Sequence, residues 1–549
     1  MFVRVKSTKN SPRKSVQIVH SRRLSPQKVS QIILRHVGVA NNDEELQELI
    51  NLGNSIIVQM EKENQFELPF LDADSISPIP SQKKKNKPLP PHEVKLSNLV
   101  HEQRVILGIH DIYGKLFDEL GFSSLLDKND NQILKNTVLA RIANPQSKLA
   151  TCDFLERDFG LKLSVDSIYR MMDKLSPITS QIQSAVRRAT HSLFPDGVDV
   201  IFFDVTTLYF ESFNEDSLRG FGYSKDQKYH VVQVVLALAT TERGLPIGYK
   251  LFHGTTAEIS TLMDCLNEWK SIMPIQNVVF VADRGMMSED NIKLLEANHI
   301  EYIVGASLKK LPKKKQNEIL NSKQFKLSAI QNDMVWNHEF ELTPKRRLIC
   351  AYSGRRAQKD AKDRTKLIDK LEKKLGKKGA LKKLVSNRGY LKFTKTDGNS
   401  VASINNEKIE RDALFDGMYG ILTNSQKDRA HILTRYRGLF TIEQAFRITK
   451  HDLMMRPIFH FKKERIEAHV ALCYLAYSLI KHAEHRIRIQ QHEMSPEQIR
   501  FELCRVDATL VRDKQKGGLY KIPSSMNEKQ KAIYRAFNVK RSLTPTLAG

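Results

Sequence analysis

The sequence predicts an α/β protein whose central core is a mixed sheet flanked by helices, with a β-containing insertion in that core. The hydrophobic period changes from helix-like to strand-like near residue 198. Strand-like and helix-like segments then follow in the order strand, strand, strand, helix, strand, helix, strand. A strongly basic stretch interrupts this order before a further strand and further helices. A small β-rich segment and a helical domain are expected to precede the core.

The first 71 residues, 1–71, predict a small basic N-terminal α+β domain. Residues 2–6, 15–19 and 32–37 alternate between apolar and polar side chains as strands do. Residues 44–60 then have the apolar spacing of a helix.

Residues 72–95 predict a linker, because prolines and lysines replace the apolar pattern there. The run Lys83-Lys84-Lys85 is either part of a solvated tether or a contact to phosphate groups. Residues 96–195 predict a helical DNA-binding domain, in which residues 164–172 resemble a capped helix with a basic face. A helix-turn-helix unit and a plain helical bundle explain this region equally well.

The core is predicted from residues 196–307 and 416–480, with an insertion domain at 308–415 between them. Its first elements are predicted as strands at 198–210, 229–240 and 245–252, a helix at 259–273, a strand at 277–283, a helix at 289–298 and a strand at 301–305. An antiparallel meander that leads into right-handed crossovers is typical of an RNase-H-like fold. The later elements are predicted as a strand at 417–423, helices at 430–450 and 463–489, and a basic helical C-terminal tail at 481–549.

The composition indicates a polyanionic partner and excludes several other classes of protein. The 549 residues include 87 Lys and Arg against 62 Asp and Glu, a net charge of +25, which favours nucleic acid without separating DNA from RNA or the ribosome. No apolar run is long enough to span a bilayer and no signal peptide is recognisable, so no membrane is expected. The five cysteines are far apart and form no CxxC pair, which favours a reducing cytosol. No Walker-type loop occurs, so no nucleotide cofactor is expected.

Two aspartates lie where apolar residues are expected. Asp204 is in the middle of the apolar run at 198–210, and Asp283 ends the apolar run at 277–283. A buried carboxylate is costly unless it is paired or binds a metal ion. The predicted topology makes these two strands neighbours, and two carboxylates side by side suit Mg²⁺ or Mn²⁺. The alternative is that each aspartate caps a turn or pairs with a basic neighbour such as Arg284.

A third carboxylate, Glu443, lies on the helix predicted at 430–450. Tyr436, Glu443 and Lys450 are each seven residues apart, so they would form one stripe on that helix, with Arg447 close to it. Such a stripe is suited to a site beside a metal ion and a phosphodiester. The alternative is a surface ion pair between Glu443 and Arg447.

Together these three motifs closely resemble those of the DDE transposases of bacterial insertion sequences, in particular the IS-four-like superfamily. Tyr436, Glu443 and Lys450 match the Tyr, Glu and Lys positions of the last motif of that superfamily. The motif arginine falls on Leu439, a departure, and Arg437 or Arg447 is expected to contact phosphate in its place. The resemblance covers about residues 1 to 480.

The resemblance implies a DNA transposase that cleaves DNA and transfers strands with two Mg²⁺ or Mn²⁺ ions. Asp204, Asp283 and Glu443 would be the catalytic and metal-binding residues, and Tyr436, Arg437, Arg447 and Lys450 would contact DNA. The partners implied are double-stranded DNA, as terminal inverted repeats and as target, and a second copy of the chain on paired ends. The location implied is the bacterial cytoplasm, on the nucleoid. The alternatives are a metal-dependent nuclease or resolvase without strand transfer and a catalytically inactive DNA-binding protein.

Overall fold

The structure is a computed structural model. It describes residues 1–8, 11–25, 28–65, 94, 96–194, 200–222, 230–256, 261–270, 279–283, 288–330, 333–375, 392–397, 400–490, 492–515 and 517–547. The linker predicted at 72–95 lies outside the described residues, apart from residue 94.

The strands of the described residues are β1 (Phe2–Thr8), β2 (Ser11–Ser25), β3 (Lys28–Ala40), β4 (Leu99–Ile106), β5 (Val200–Tyr209), β6 (Gln233–Thr241), β7 (Pro246–His253), β8 (Val279–Ala282), β9 (Glu301–Ala306), β10 (Lys326–Ile330), β11 (Asp333–Thr343), β12 (Arg346–Tyr352), β13 (Thr394–Asp397), β14 (Ser400–Ile404), β15 (Met418–Thr423), β16 (Asp507–Asp513), β17 (Leu519–Pro523) and β18 (Thr546–Leu547). The described α-helices are α1 (Asp43–Gln65), α2 (Lys115–Glu119), α3 (Lys128–Ala143), α4 (Lys148–Phe159), α5 (Val165–Leu175), α6 (Thr179–His191), α7 (Thr261–Lys270), α8 (Glu289–Ala297), α9 (Lys313–Asn321), α10 (Gly354–Leu375), α11 (Asn406–Ala413), α12 (Arg429–Arg437), α13 (Phe440–Arg447), α14 (Lys463–Arg488), α15 (Pro496–Cys504) and α16 (Glu528–Ala536).

The chain divides into two compact units. Unit 1 comprises Met1–Val198, Thr206–Thr256 and Gln444–Gly549, and unit 2 comprises Asp199–Val205 and Ala257–Glu443. In the part of the chain that the structure describes, no helix is both long enough and apolar enough to cross a membrane.

The N-terminal part of unit 1 is a three-stranded antiparallel sheet with one helix, as predicted. β2 pairs with both β1 and β3, and α1 packs on this sheet. The strand alternation puts Val16 and Ile18 on one face, where both are buried in a cluster with Leu49 of α1. Leu245 and Ile489 belong to the same cluster, so this segment shares a core with the rest of unit 1.

The helical part of unit 1 packs around α14. Helices α3, α5 and α6 all contact α14, and every residue of α14 from 468 to 483 is buried. A helix that is buried on all sides must be surrounded by other elements, which gives this region the character of a bundle. The predicted helix at 463–489 is confirmed as α14. DNA binding by the region at 96–195 stays a prediction.

The C-terminal segment is not the helical tail predicted at 481–549. β16 pairs antiparallel with β4, beginning with Asp507 opposite Ile106, and β17 and β18 continue that sheet. Ile533 and Phe537, in and directly after α16, are fully buried. The prediction was wrong because β16 is short and polar, and its partner β4 lies in a distant part of the sequence.

Unit 2 is built on one mixed sheet with the strand order β10-β11-β12-β15-β9-β8-β5. β5, β8 and β9 are parallel, which confirms that the first and fourth predicted core strands are neighbours. The strand predicted at 417–423 is confirmed as β15, which pairs with β9 and β12. The segment predicted as an insertion at 308–415 contains β-structure, but its strands β10–β12 continue the core sheet instead of forming a sheet of their own.

A buried carboxylate joins three parts of unit 1. Glu119, at the end of α2, forms an ion pair of 2.6 Å with Arg486 of α14 and one of 3.9 Å with Arg35 of β3. Burial by itself raises the pKa of Glu119, but the charges of Arg486 and Arg35 outweigh it, so the pKa is lowered from its usual value. The ionised carboxylate therefore stabilises the folded chain above about pH 4.5, and this contribution is lost as the pH falls through the lowered pKa.

We expect Glu119→Gln to lower the free energy of unfolding by about 3 kcal/mol at pH 7, because it removes the anion that pairs with the buried guanidinium of Arg486 and the half-buried guanidinium of Arg35. Urea unfolding followed by circular dichroism measures the loss. The difference from the wild type should narrow as the pH falls below the lowered pKa, where Glu119 is protonated. Glu156→Gln, at an exposed position of α4, is the matched control and should change stability by less than about 0.5 kcal/mol. Equal effects of the two substitutions would contradict the assignment.

Candidate active site

Two aspartates lie just beyond the paired segment of two parallel strands. β5 and β8 pair in parallel, and Phe202 opposite Val281 is their last matched pair. Asp204 and Asp283 each lie two residues beyond that pair, so the same register brings them opposite each other. Asp283 directly follows β8 and is exposed, whereas Asp204 is half-buried and accepts a 2.7 Å hydrogen bond from the backbone N–H of Val205.

Glu443 lies on a helix that begins after a break in the chain. One continuous helix was predicted across Gly438, but the structure has α12 before it and α13 after it. A side chain at Gly438 would come within 2.4 Å of the Phe202 ring, so glycine is required for this close approach to β5. The prediction that Tyr436, Glu443 and Lys450 form a stripe on one helix is therefore wrong.

The three acidic residues nevertheless line one cavity of unit 2. Asp204, Asp283 and Glu443 all border this cavity, whose volume is about 430 Å³. Tyr436 and Arg437, two of the predicted DNA contacts, line it as well. Carboxylates from two strands and one helix thus meet a tyrosine and a guanidinium in a space of the size that accepts ligands in many proteins.

The other two predicted DNA contacts, Arg447 and Lys450, belong to unit 1 and are not among the described residues that line the cavity. Arg447 is exposed, and the Nζ atom of Lys450 lies 5.7 Å from the centre of the Phe446 ring. Their contact with DNA stays a prediction.

Residues 196–479 of the chain match a protein-family model described as a transposase DDE domain. The chain belongs to the DDE transposase family. No curated protein sequence matches it. Among solved structures, it is similar to a piggyBac transposase in a synaptic complex with hairpin DNA, with 9% sequence identity and a TM-score of 0.38 over 72% of this chain and 76% of that chain.

The carboxylates of the DDE domain have the donor chemistry that Mg²⁺ and Mn²⁺ prefer, since each supplies oxygen ligands only. Within the described residues, no three His, Cys, Asp or Glu side chains are placed to hold one ion together. Mg²⁺ in phosphoryl-transfer enzymes usually takes one or two carboxylates and completes its shell with water and substrate phosphate oxygens. Asp204, Asp283 and Glu443 each supply a carboxylate to one cavity, and metal binding by them stays a prediction.

Arg437, expected to replace the arginine missing at Leu439, is engaged within the DDE domain. It donates a 2.8 Å hydrogen bond to the carbonyl of Ile330 and pairs at 2.9 Å with Asp333. These contacts tie α12 to the strands β10 and β11. Arg437 lines the cavity, but its guanidinium is bound to residues of these two strands.

The structure adds three polar residues of the cavity that the sequence did not indicate, Ser353, Arg356 and Tyr419. Arg356 lies in the first turn of α10, with its guanidinium 5.1 Å from the centre of the Tyr419 ring. That ring stacks on Tyr436 at 6.4 Å between centres and 17° between planes. Burial raises the pKa of Tyr419, although Arg437 and Arg356 oppose the rise, so this phenol stays protonated at neutral pH.

No sequence signal separated Arg356 from its neighbours, because it lies in a helix with many basic residues. Its position in the first turn of α10 is nevertheless informative. The N-terminus of a helix attracts anions, and Arg356 adds a full positive charge at the same place. The cavity is therefore acidic on the side of β5 and β8 and cationic on the side of α10.

Proposed function

We propose that this chain is a DNA transposase that binds the ends of its element and carries out Mg²⁺-dependent strand cleavage and strand transfer. The observation that carries the proposal is that Asp204, Asp283 and Glu443 line one cavity in a chain of the DDE transposase family. We infer further that the core is RNase-H-like and that the chain is of the IS-four-like type found in bacteria. Dimerisation on paired terminal inverted repeats belongs to the same proposal.

Asp204, Asp283 and Glu443 would hold the divalent ions and are the proposed catalytic residues. Bound metal ions would activate an attacking oxygen and stabilise the leaving oxygen of a phosphodiester. The chain itself supplies carboxylates fixed on adjacent strands, which is how an active site avoids reorganisation during the reaction. No covalent intermediate on the protein is needed, since the attacking group is a water or a DNA hydroxyl.

The cationic side of the cavity would grip the substrate backbone. Arg356 offers a guanidinium beside the carboxylates, and a guanidinium can bind two phosphate oxygens at once. Tyr436 and Tyr419, whose rings stack on each other, line the same space. Arg447 and Lys450 are proposed to contact DNA outside this cavity.

The direct test uses the intact protein and a DNA fragment that contains the short inverted repeats flanking its gene. We expect Mg²⁺ to yield nicks or breaks at the repeat ends and, with added target plasmid, joining of the free 3′-hydroxyl to that plasmid. Gel electrophoresis of end-labelled DNA separates these products, and EDTA should abolish both.

The products also separate the proposal from its rivals. Cleavage without any joined product would indicate a metal-dependent nuclease or resolvase. Binding of the repeat DNA with no Mg²⁺-dependent product would indicate a protein that binds DNA without catalysis. Either result would contradict the proposed transposase activity.

A further inference from the structure

Unit 1 contains a small cavity lined by three Arg and Lys side chains and two histidines. Its volume is about 100 Å³, and Arg141, Lys148, Arg456, His460 and His469 all line it. The cavity lies where the start of α4 meets the segment between α13 and α14. It belongs to no part of the acidic cavity described above, which lies in unit 2.

Two of the basic side chains are buried to an unusual degree. Arg141 is 5% exposed and Lys148 is 4% exposed. Lysine and arginine are almost never buried unless a carboxylate pairs with them, because the charged form loses its hydration. No aspartate or glutamate is among the described residues that line this cavity.

The polar contacts of the cavity do not neutralise Lys148. Its Nζ lies 3.4 Å from Nδ1 of His469, whose Nε2 lies 3.1 Å from the carbonyl oxygen of Met455. Because that carbonyl only accepts, Nε2 carries the ring proton and Nδ1 accepts from Lys148. His469 is thus a neutral ring that orients the ammonium group without balancing its charge.

Arg141 is fixed by backbone carbonyls. One Nη donates to the carbonyl of Leu453 at 2.9 Å, and the other donates to the carbonyl of Gln146 at 2.8 Å. These bonds fix the guanidinium in place, and no carboxylate among the described residues that line the cavity balances its charge. The fold therefore holds two basic side chains around a small space, although burial of a charge on either opposes folding.

The start of α4 adds a further attraction for anions. Ser147 caps this helix by accepting from the N–H of Ala150, and Ser147 and Lys148 both line the cavity. The first N–H groups of a helix have no partner within it and carry a partial positive charge. The helix terminus and the basic side chains thus both favour an anion in the cavity.

Burial lowers the pKa of Lys148 and of His469 well below their usual values, and Arg141 contributes to both shifts. The pKa of His460 falls to about 3 for the same reasons, with Lys148 as the largest charge acting on it. An anion in the cavity would reverse these shifts, because it favours the charged forms.

We propose that this cavity is a binding site for a phosphate-type oxyanion, held by Lys148, Arg141 and Arg456 at the start of α4. Its volume accepts one tetrahedral oxyanion and is too small for a nucleobase together with its sugar. The phosphate could belong to a nucleic acid backbone or be free inorganic phosphate, since both present the same oxygen atoms. The proposal does not depend on the metal chemistry of the acidic cavity.

The test compares the wild type with Lys148→Met in two binding experiments at pH 7 and low salt. The first experiment measures the affinity for inorganic phosphate by isothermal titration calorimetry. The second measures the affinity for a labelled 20-base-pair DNA duplex by fluorescence anisotropy. We expect Lys148→Met to weaken binding by about tenfold or more in at least one experiment. If the DNA backbone is the ligand, the salt dependence of the duplex affinity should also fall by about one charge.

Lys162→Met is the matched control, because Lys162 is an exposed lysine of the same unit outside the cavity, and it should leave phosphate binding unchanged. Weakening in the duplex experiment alone identifies the nucleic acid backbone as the ligand, and weakening with inorganic phosphate alone identifies free phosphate. Wild-type binding by Lys148→Met in both experiments would overturn the proposal.

A second measurement guards against misfolding of the variant. Without phosphate, Lys148→Met should unfold at the same temperature as the wild type or higher, because it replaces a buried basic group that no cavity-lining carboxylate of the described residues pairs with. Phosphate should raise the unfolding temperature of the wild type and leave that of the variant unchanged. Arg456→Gln, at a half-buried position, should weaken the same binding several-fold. Two results together would also contradict the site. They are an unfolding temperature of the wild type that phosphate does not change, and duplex binding by Arg456→Gln that equals that of the wild type.

Discussion

Asp204→Asn should reduce Mg²⁺-dependent cleavage of end-sequence DNA by about a thousandfold or more, while the affinity for the same DNA changes by less than about twofold. Asparagine keeps the size of the side chain but removes the negative charge and one of the oxygen donors that a divalent ion needs. Asp204 is half-buried within β5, so the amide should occupy the same place without disturbing the strand. End-labelled DNA measures cleavage, and fluorescence anisotropy measures binding.

Asp283→Asn and Glu443→Gln should behave in the same way, because all three carboxylates line one cavity. When several residues act as one catalytic unit, the first substitution removes most of the rate enhancement of the whole unit. The double variant Asp204→Asn with Glu443→Gln should therefore be little worse than either single variant. Independent, multiplicative losses would show that the residues do not share one site.

Asp369→Asn is the matched control for these variants, since Asp369 is an exposed residue of α10 in the same unit and does not line the cavity. It should cleave DNA like the wild type. Binding of Mn²⁺, followed by electron paramagnetic resonance, provides a readout that is independent of cleavage. Asp204→Asn should weaken it by about tenfold or more, whereas Asp369→Asn should leave it unchanged. Full cleavage by Asp204→Asn would remove the catalytic assignment.

The strands of the core could be predicted because local pattern determines them. The apolar run that contains Asp204 is too long and too β-branched for a surface segment, and Asp204 places a carboxylate in its middle. A buried charge in an apolar strand is costly, so it indicates function without any knowledge of the neighbours. The pairing of β5 with β8 then follows from right-handed crossovers.

The elements that could not be predicted depend on contacts between distant parts of the chain. Gly438 interrupts a helical pattern that is otherwise continuous, because a close approach to Phe202 excludes any larger residue. Glycine alone costs a helix only about 1 kcal/mol, so its presence did not locate the break. β16 similarly gains its stability from β4, and nothing in the short polar sequence of β16 identifies that partner. Tertiary contacts therefore determine both the break at Gly438 and the pairing of β16 with β4.

The arginine that takes the place of the motif arginine could not be predicted either, because contacts between distant parts of the chain decide which arginine lies in the cavity. Leu439 occupies the position where the resembling family has arginine, and the nearest arginine in sequence, Arg437, is tied to Ile330 and Asp333. Arg356 enters the cavity from a different element, α10. A guanidinium can be supplied from any part of the fold that faces the same space, so sequence distance is a poor guide to which arginine acts.

Arg356→Ala should therefore reduce DNA cleavage by about a hundredfold, because it removes the cavity's guanidinium that is nearest to solvent and able to bind a phosphodiester. Half of the Arg356 side chain is exposed, with 52% accessibility, so DNA can reach it, and its contact to Asp360 at 4.0 Å is too long to neutralise it. Arg356→Lys should recover only part of the activity, since an ammonium group cannot form the paired hydrogen bonds of a guanidinium. Single-turnover cleavage with saturating DNA measures the effect on the chemical step.

Arg355→Ala is a closely matched control, because Arg355 is the preceding residue of α10, carries the same charge and does not line the cavity. If Arg356 acts only through the general positive charge of α10, Arg355→Ala and Arg356→Ala should reduce the cleavage rate by the same small factor. High salt should then remove the difference between either variant and the wild type. If Arg356 contacts the reacting phosphate, its variant alone should be slow at saturating DNA and at every salt concentration. Equal rates for Arg356→Ala and Arg355→Ala would return the phosphate contact to Arg437, whose bonds to Ile330 and Asp333 would then have to open when DNA binds.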